Sequence, residues 1–526
     1  MEKDRSIIAD KHTIVEKGEK VSKELNIRDY NNKQGLLFPL SIGDFLKEDD
    51  LVHVIDEVVE EIDLSPYYKK ISPVGNPCYH PKMMIKIWFY GYCTGTYSSR
   101  KIEDKLYKEI GFIYLAGMQK PDFKAISEFR RRHLEDLKMT FKEVLKICKE
   151  LGMIRLGNIA IDSKVMKANA SAERTYDEEH IEKEIKKYLE EVEEADKRED
   201  MQYGEGKRGN ELPKDIAKKK DRVRKIVRKI KELKEAKEKL NREKKKKINL
   251  TDESAKFQED KGRKTIGYRA HVAVDGEEQV IVANEVVSDQ NDSSQLINMA
   301  DKVIKNVEEL GVEKPEEKVK VTLDAGYYSS KNLAELEKDA YKNKIEVFVA
   351  NTSEKKKDRI KEANEFDKTR FKYDESRDKV ICPAGKELNC IGRSEHRGVN
   401  YKTYGNVSEC KKCEYWGICT KSERGRHITI SEHRELVEKM KNKLVSAEGK
   451  KIYEKRKTIV EPTIGNLSYN LGFREFRLRG EKVKGEFCLM CIAHNLLKIG
   501  KYLKKTGGVI KKGCFNGGKI GIAYNG

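Results

Sequence analysis

No apolar run in this 526-residue chain approaches the roughly 20 residues that a membrane-spanning helix needs. Met1 to Glu24 is a charged stretch without the apolar segment of a secretory leader, so the cytosol is the expected compartment. Acid is also in deficit: 90 Asp and Glu stand against 109 Lys and Arg, a formal net charge of +19. Such a surplus calls for a polyanion. Nucleic acid is the first candidate, because clustered Lys and Arg gain affinity by releasing counterions from phosphates; a membrane surface is the second. Apolar residues make up 37% of the chain and charged residues 38%, which permits packed cores but implies long solvated helices or charged insertions beside them. The length argues for about three domains. Disulfides are not expected of the 11 cysteines in a reducing compartment, which leaves core packing or metal ligation.

A charged arm over 1–35 precedes a segment, 36–152, that reads as helical. Asp49 and Asp50 can cap a helix with Leu51, Val54, Ile55, Val58 and Ile62 on one face. A second helix follows Pro81, and a third carries Ile102, Leu106 and Ile110. SEFRRRHLEDLKMTFKEVLKICKELG, from Ser127, then reads as one helix whose first turns hold Arg130, Arg131, Arg132 and His133. These arginines are candidates for DNA contact, although a helix dipole alone also favours basic helix ends.

From Gly157 the pattern changes to short β-type runs (NIAIDSK, GYRAHVAVD, QVIVANEVV, KVTLDAGYY, KIEVFVAN) separated by helical periodicity, the mark of an α/β domain. Its pieces are 153–173, 262–364 and 431–510, followed by a tail over 511–526. Two insertions interrupt it. Residues 174–261 are extremely charged but carry apolar stripes (Ile181, Ile185, Tyr188, Val192; Val223, Ile226, Ile230, Leu233, Leu240) that two antiparallel helices would bury. The second of these, from Pro213 to about Lys247, would be roughly 50 Å long, and the pair reads as a solvated spacer rather than a DNA clamp.

The other insertion, 365–430, holds CPAGKELNC and CKKCEYWGIC. Cys410 and Cys413 form a CxxC knuckle with Cys419 nearby, and Cys382 or Cys390 upstream can complete four thiolates for zinc in a small domain lacking an apolar core. A further CxxC at Cys488 and Cys491 lies among Phe487, Leu489, Met490 and Ile492 and reads as buried helix. His494 and Asn495 read as a packed, hydrogen-bonded pair.

Three acids stand out by context: Asp162 after NIAI, Asp324 after VTL, and Glu461 in YEKRKTIVEPTIGNL, within a helix that starts near Ser431. The carboxyl ends of strands in an α/β sheet are where distant side chains converge. Three gathered carboxylates repel one another unless a divalent cation neutralises them, and oxygen-only ligands favour magnesium or manganese. Two such ions can activate a water on one side of a phosphodiester and stabilise the leaving oxygen on the other. Taken singly, each Asp is more often a turn cap and Glu461 a solvated helix face.

Together these residues resemble the DDE transposases of bacterial insertion sequences, the IS4-like superfamily and most closely its IS1182-type members. The resemblance rests on YHPKMMIKIWFYGYCTGTYSSRKIEDKLYKEIGFIYLAGMQKPDFKAISEFRRRH, IAIDSKVMKANAS, GYRAHVAVD, VTLDAGYYS and VEPTIGNLSYNLGFREFRLRGEKVKGEFCLMCIAHNLLKI. It implies an α/β RNase H-like catalytic core (a mixed sheet with flanking helices), a helical N-terminal DNA-binding domain, and Asp162, Asp324 and Glu461 as ligands of two Mg2+ or Mn2+ ions. It also implies double-stranded DNA partners, both terminal inverted repeats and target, a homodimer on paired ends, and a place beside the bacterial nucleoid. Members carry Tyr, Arg, Glu and Lys along the last helix. Here Tyr453 and Arg456 precede Glu461, with four residues between Arg and Glu where three are common, and Ser468 stands where Lys is usual. Arg474, Arg477 or Arg479, in the basic cluster that runs on to residue 484, would then supply the DNA contact. The rival expectations are a nuclease of the same fold without strand transfer, and a non-catalytic DNA-binding derivative or inactive copy.

Overall fold

The computed structural model describes residues 13–16, 19–22, 41–71, 77–204, 214–260, 262–311, 318–351, 365–396, 398–508 and 510. The chain divides into two units, 1–47 and 48–526. In the first, Thr13–Glu16 pairs antiparallel with Glu19–Ser22, and Ser41 caps a single turn at Ile42–Phe45. The rest of the expected arm, Pro213 and the tail over 511–526 lie outside the described residues.

In the second unit Asp50 caps helix α1 (Leu51–Glu61) by accepting from the Val52 amide, and Val54, Ile55 and Val58 are buried. Helix α2 (Pro81–Cys93) begins at a proline, whose missing N–H is harmless in a first turn. The third expected helix ends at Lys105, and Ile110 starts a separate helix with its side chain 40% exposed. The helix expected from Ser127 is likewise two, α3 (Phe123–Arg132) and α4 (Asp136–Glu150). The break falls at His133, whose Nδ1 lies 2.7 Å from the Asp136 carboxylate, so a local side-chain bond competes with helix continuation.

A six-stranded mixed sheet follows: β1 (Asn158–Lys167), β2 (Lys256–Asp260), β3 (Arg263–Asp275), β4 (Ile281–Val287), β5 (Val319–Leu323) and β6 (Ile345–Val349). The order is β6-β5-β1-β3, with both β2 and β4 on β3. Strands β6, β5 and β1 are parallel; β3 runs antiparallel to β1, β2 and β4. The charged insertion therefore contributes its last strand, β2, to the sheet. Its helices are α5 (Glu178–Tyr203) and α6 (Lys214–Arg242), and α6 is about 43 Å long at 1.5 Å per residue. Ile181 packs with Leu233, Ala236, Leu240 and Ile248, with Ile185 and Tyr188 alongside, as the two stripes require; the Val223 side chain lies outside the described residues. Helix α7 (Leu296–Glu309) returns the chain from β4 to β5.

The cysteine-bearing insertion is a five-stranded antiparallel sheet: β7 (Lys372–Asp374), β8 (Lys379–Ile381), β9 (Glu387–His396), β10 (Val399–Gly405) and β11 (Ile428–Ser431). The expectation that it lacks an apolar core is corrected. Phe371, Val380, Leu388, Tyr404 and Ile428 are buried together, because alternate strand residues share one face.

The expected C-terminal helix is interrupted at Ser446, which ends α8 (Arg434–Val445) and caps α9 (Ala447–Gly465). Helix α10 (Lys482–Thr506) packs against α1, α2, α4 and β4, joining the helical N-terminal region to the sheet. Gly485 permits this approach: a Cβ there would lie 2.7 Å from the Leu134 carbonyl oxygen. Cys488 and Cys491 are buried in α10.

His494 and Asn495, also on α10, bind the β3–β4 turn. Asn495 exchanges two hydrogen bonds with the Ile281 backbone. His494 Nε2 donates to the Gln279 carbonyl at 2.9 Å, and its Nδ1 accepts from Asn466 Nδ2 at 3.0 Å, an arrangement that uses the neutral ring. Burial holds its pKa down at about 4, against an ordinary 6.5. The unfolded chain thus takes up a proton that the folded one refuses. This contribution to stability is whole above pH 6.5 and is lost as pH falls towards 4, to the extent of about 3 kcal/mol. Urea midpoints measured from pH 7 to 4 should fall less steeply in His494→Gln than in wild type; parallel slopes would contradict it.

Candidate active site

Strands β1 and β5 are parallel and in register up to the pair Ile161–Leu323. The next residue on each is an aspartate, so Asp162 and Asp324 stand side by side at adjacent strands about 4.8 Å apart, where β5 ends. Asp324 is also a turn cap, accepting from the Gly326 amide at 3.4 Å. The two aspartates are bridged by Arg456 on α9, with Nη1 3.0 Å from Asp162 and Nη2 3.1 Å from Asp324. Burial raises the Asp162 carboxyl pKa and the Asp324 charge raises it further, while the Ser163 amide and Arg456 pull it down.

Arg456 is 5% exposed, and its guanidinium is enclosed between the two carboxylates, whose repulsion it offsets. Tyr453, one turn earlier, is half buried beside the same carboxylates, and burial raises its hydroxyl pKa. Glu461 lies on the same helix but is exposed and outside the Arg456 bridge. Five residues at 100° each turn it well away from Arg456. The structure brings two of the three expected carboxylates together and does not gather the third. Among the described residues, no three or more His, Cys, Asp or Glu side chains are grouped to hold a metal ion.

Glu461 precedes Pro462, which cannot donate to the Thr458 carbonyl. That carbonyl accepts from Gln279 Nε2 at 3.0 Å, so the β3–β4 turn supports α9 beside Glu461. Helix α9 runs on into a wider π-helical turn at Asn466–Asn470, an irregularity frequent at functional sites.

A fourth acid, Asp292, was missed by the sequence reading. Its Oδ1 accepts from Ser163 Oγ at 2.7 Å and its Oδ2 from Arg269 at 2.8 Å. It lies behind Asp324, whose charge adds to burial in raising its pKa. Gly326 packs closely here: a Cβ would lie 3.0 Å from Asp292 Oδ2, so that carboxylate would have to shift by a few tenths of an ångström to admit one. Its φ is not left-handed, so close approach rather than a sharp turn accounts for the glycine. Buried His271 extends the network to the Tyr327 hydroxyl at 2.5 Å, and burial lowers the His271 pKa to about 3. NDSSQ, read locally, is a helix start and carries no sign of this role.

The basic candidates divide by exposure. Arg130 is half buried, stacked 4.3 Å above Trp88 and donating to the Tyr92 hydroxyl at 3.1 Å. Arg131 and Arg132 are exposed and pair with Glu128. Arg474, Arg477 and Arg479 are exposed on the loop before α10. Buried Glu486 holds that loop by accepting from the Arg477 and Leu478 amides. Arg479 donates to the Asn169 carbonyl at 2.8 Å, beyond the end of β1.

Cys382, Cys410, Cys413 and Cys419 line one cavity of about 30 Å3, and the Lys386 amide donates to the Cys382 sulfur at 3.3 Å. Cys390 is exposed on β9 and is not among the residues lining that cavity.

Residues 381–500 match the family described as Transposase DDE domain, and residues 40–132 match Transposase domain (DUF772). Both are typical of IS4- and IS1182-like insertion-sequence transposases, the resemblance that the sequence motifs carry. Glu461 lies within the first match; Asp162 and Asp324 lie between the two. No curated protein and no solved structure matches the chain.

Proposed function

We propose that this chain, carrying transposase domains towards both ends, is a working insertion-sequence transposase. It binds the terminal inverted repeats of its own element, cuts there with water to free a 3′ hydroxyl, and joins that hydroxyl to target DNA. The observation that carries this reading is the pairing of Asp162, midway along β1, with Asp324, just beyond the end of the parallel neighbour β5, both met by Arg456 of the helix that bears Glu461. The strand order and directions support an RNase H-like core.

The donor set is hard oxygen, which fits Mg2+ or Mn2+. Asp162, Asp324 and Glu461 would hold two such ions, which when bound supply Lewis-acid stabilisation of the attacking and leaving oxygens. Arg456 bridges Asp162 and Asp324 and offsets their repulsion, and Asp292, through Ser163, steadies β1 beside Asp162. Exposed Arg131, Arg132, Arg474, Arg477 and Arg479 contact phosphates. Two ends must be processed together, which motivates a homodimer on paired DNA.

The test is excision and insertion, in cells, of a marker flanked by the DNA ends found beside this gene. Movement by the wild-type protein is expected. Cleavage without a joined product would assign a nuclease, and end binding without cleavage a non-catalytic derivative or inactive copy.

Cys382, Cys410, Cys413 and Cys419 would hold one structural zinc ion; four thiols on one cavity suit a soft cation, although their positions here do not close around one. Elemental analysis of the purified protein should find about one zinc per chain, lost in Cys413→Ser together with end binding. A zinc-free wild type that binds the ends would remove this assignment.

A further inference from the structure

Lys164 lies two residues beyond Asp162 on β1, and alternate strand residues share a face. Asp162 meets Arg456 of α9, and Lys164 meets the turn that continues α9: its Nζ donates to the Ser468 hydroxyl. Ser468 is fully buried, and the next residue, Tyr469, is 75% exposed. Two cations lie near the Tyr469 ring, Lys164 Nζ 5.8 Å and the Arg474 guanidinium 5.2 Å from its centroid. Arg474 is held there by its Nε, which donates to the Ser468 carbonyl at 3.2 Å. The π-helical turn thus carries an exposed aromatic ring close to two anchored cations, one of which lies two residues from Asp162 on β1.

An exposed ring offers every base a stacking face, and flanking cations suit the phosphates on either side of that base. We infer that Lys164, Tyr469 and Arg474 form a grip for an unpaired nucleotide of the DNA strand at the catalytic carboxylates. Lys164 thereby supplies, from the sheet, a charge that Ser468 does not supply from the helix. This rests on the transposase reading, of which it names the strand-holding residues.

The test is binding, in buffer with no added Mg2+ or Mn2+ and no chelator, to a duplex of the element's end sequence with a short unpaired 3′ extension, compared with the fully paired duplex. Tyr469→Ala should weaken binding to the extended duplex about tenfold or more, with little effect on the paired one and no change in salt dependence. Lys164→Gln should lower the slope of log K against log salt by about 0.7 to 0.9, the loss of one phosphate contact. Tyr469 is exposed, so its removal tests the grip without burdening the fold. Variants that bind both duplexes as wild type does would overturn the grip and leave the transposase reading intact. A wild type that binds neither duplex would overturn both.

Discussion

Asp324→Asn is expected to abolish excision and joining, lowering the rate by about a thousandfold or more, while the protein still folds and binds the element's ends. A carboxylate that holds a catalytic cation contributes several kcal/mol to the reaction, and about 4 kcal/mol corresponds to three orders of magnitude. The fold should tolerate the change. Asn can still cap the turn at Gly326, and the Asp324 side chain is 39% exposed, so its pairing with Arg456 is screened and contributes roughly 1 kcal/mol at most. Marker movement, end binding and thermal melting, measured on the same two proteins, separate the effects. A variant that moves the marker as well as wild type removes Asp324 from the catalytic set.

Arg456→Gln has the larger expected effect on stability, about 3 kcal/mol, because it leaves Asp162 enclosed without its partner and facing Asp324. Its pH dependence has a definite sign. Burial, first among the causes, places the folded Asp162 carboxyl above its ordinary 3.8, so the charged form disfavours folding. The deficit of the variant should be full at neutral pH, shrink as pH falls through the raised folded value, and be gone only below 3.8, where Asp162 is protonated in both states. Magnesium should raise the melting temperature of the variant more than that of wild type, since a cation bound only by the folded state stabilises it by mass action. Equal melting temperatures for the two proteins at neutral pH would show that the bridge does not hold the site together.

Asp162 and Asp324 were legible in the sequence because each ends an apolar β run, and parallel register does the rest. The role of Arg456 was not. Whether a helical arginine faces DNA or a carboxylate depends on how α9 docks on the sheet, and the sequence around it is charged on all sides. The stacking of Arg130 over Trp88 was hidden for the same reason: it is set by packing between separate helices. Cys382 could not be separated from Cys390 by spacing, since Cys390 is exposed on β9, where it pairs with Tyr404 of β10, while Cys382 lines the cavity shared with Cys410, Cys413 and Cys419. The small core under the cysteines was missed because Glu387–His396 is exposed along nearly its whole length and gives little alternation to read. Asp292 and Lys164 had no local signal at all, since their significance comes from residues more than a hundred positions away.

The charged hairpin leaves and rejoins the sheet at one place. Thr175–Tyr176 pairs with Ile248–Asn249, close to where Lys167 of β1 meets Gly267 of β3. Helices α5 and α6 can zip together through contacts along their own lengths, such as Lys237 with Glu178 and Glu182. Once they have done so, the chain ends that must meet to start the β1–β3 ladder are already neighbours. A pairing that looks remote along the sequence becomes topologically local, and the entropy of closing that long loop is met in small steps during folding rather than in one.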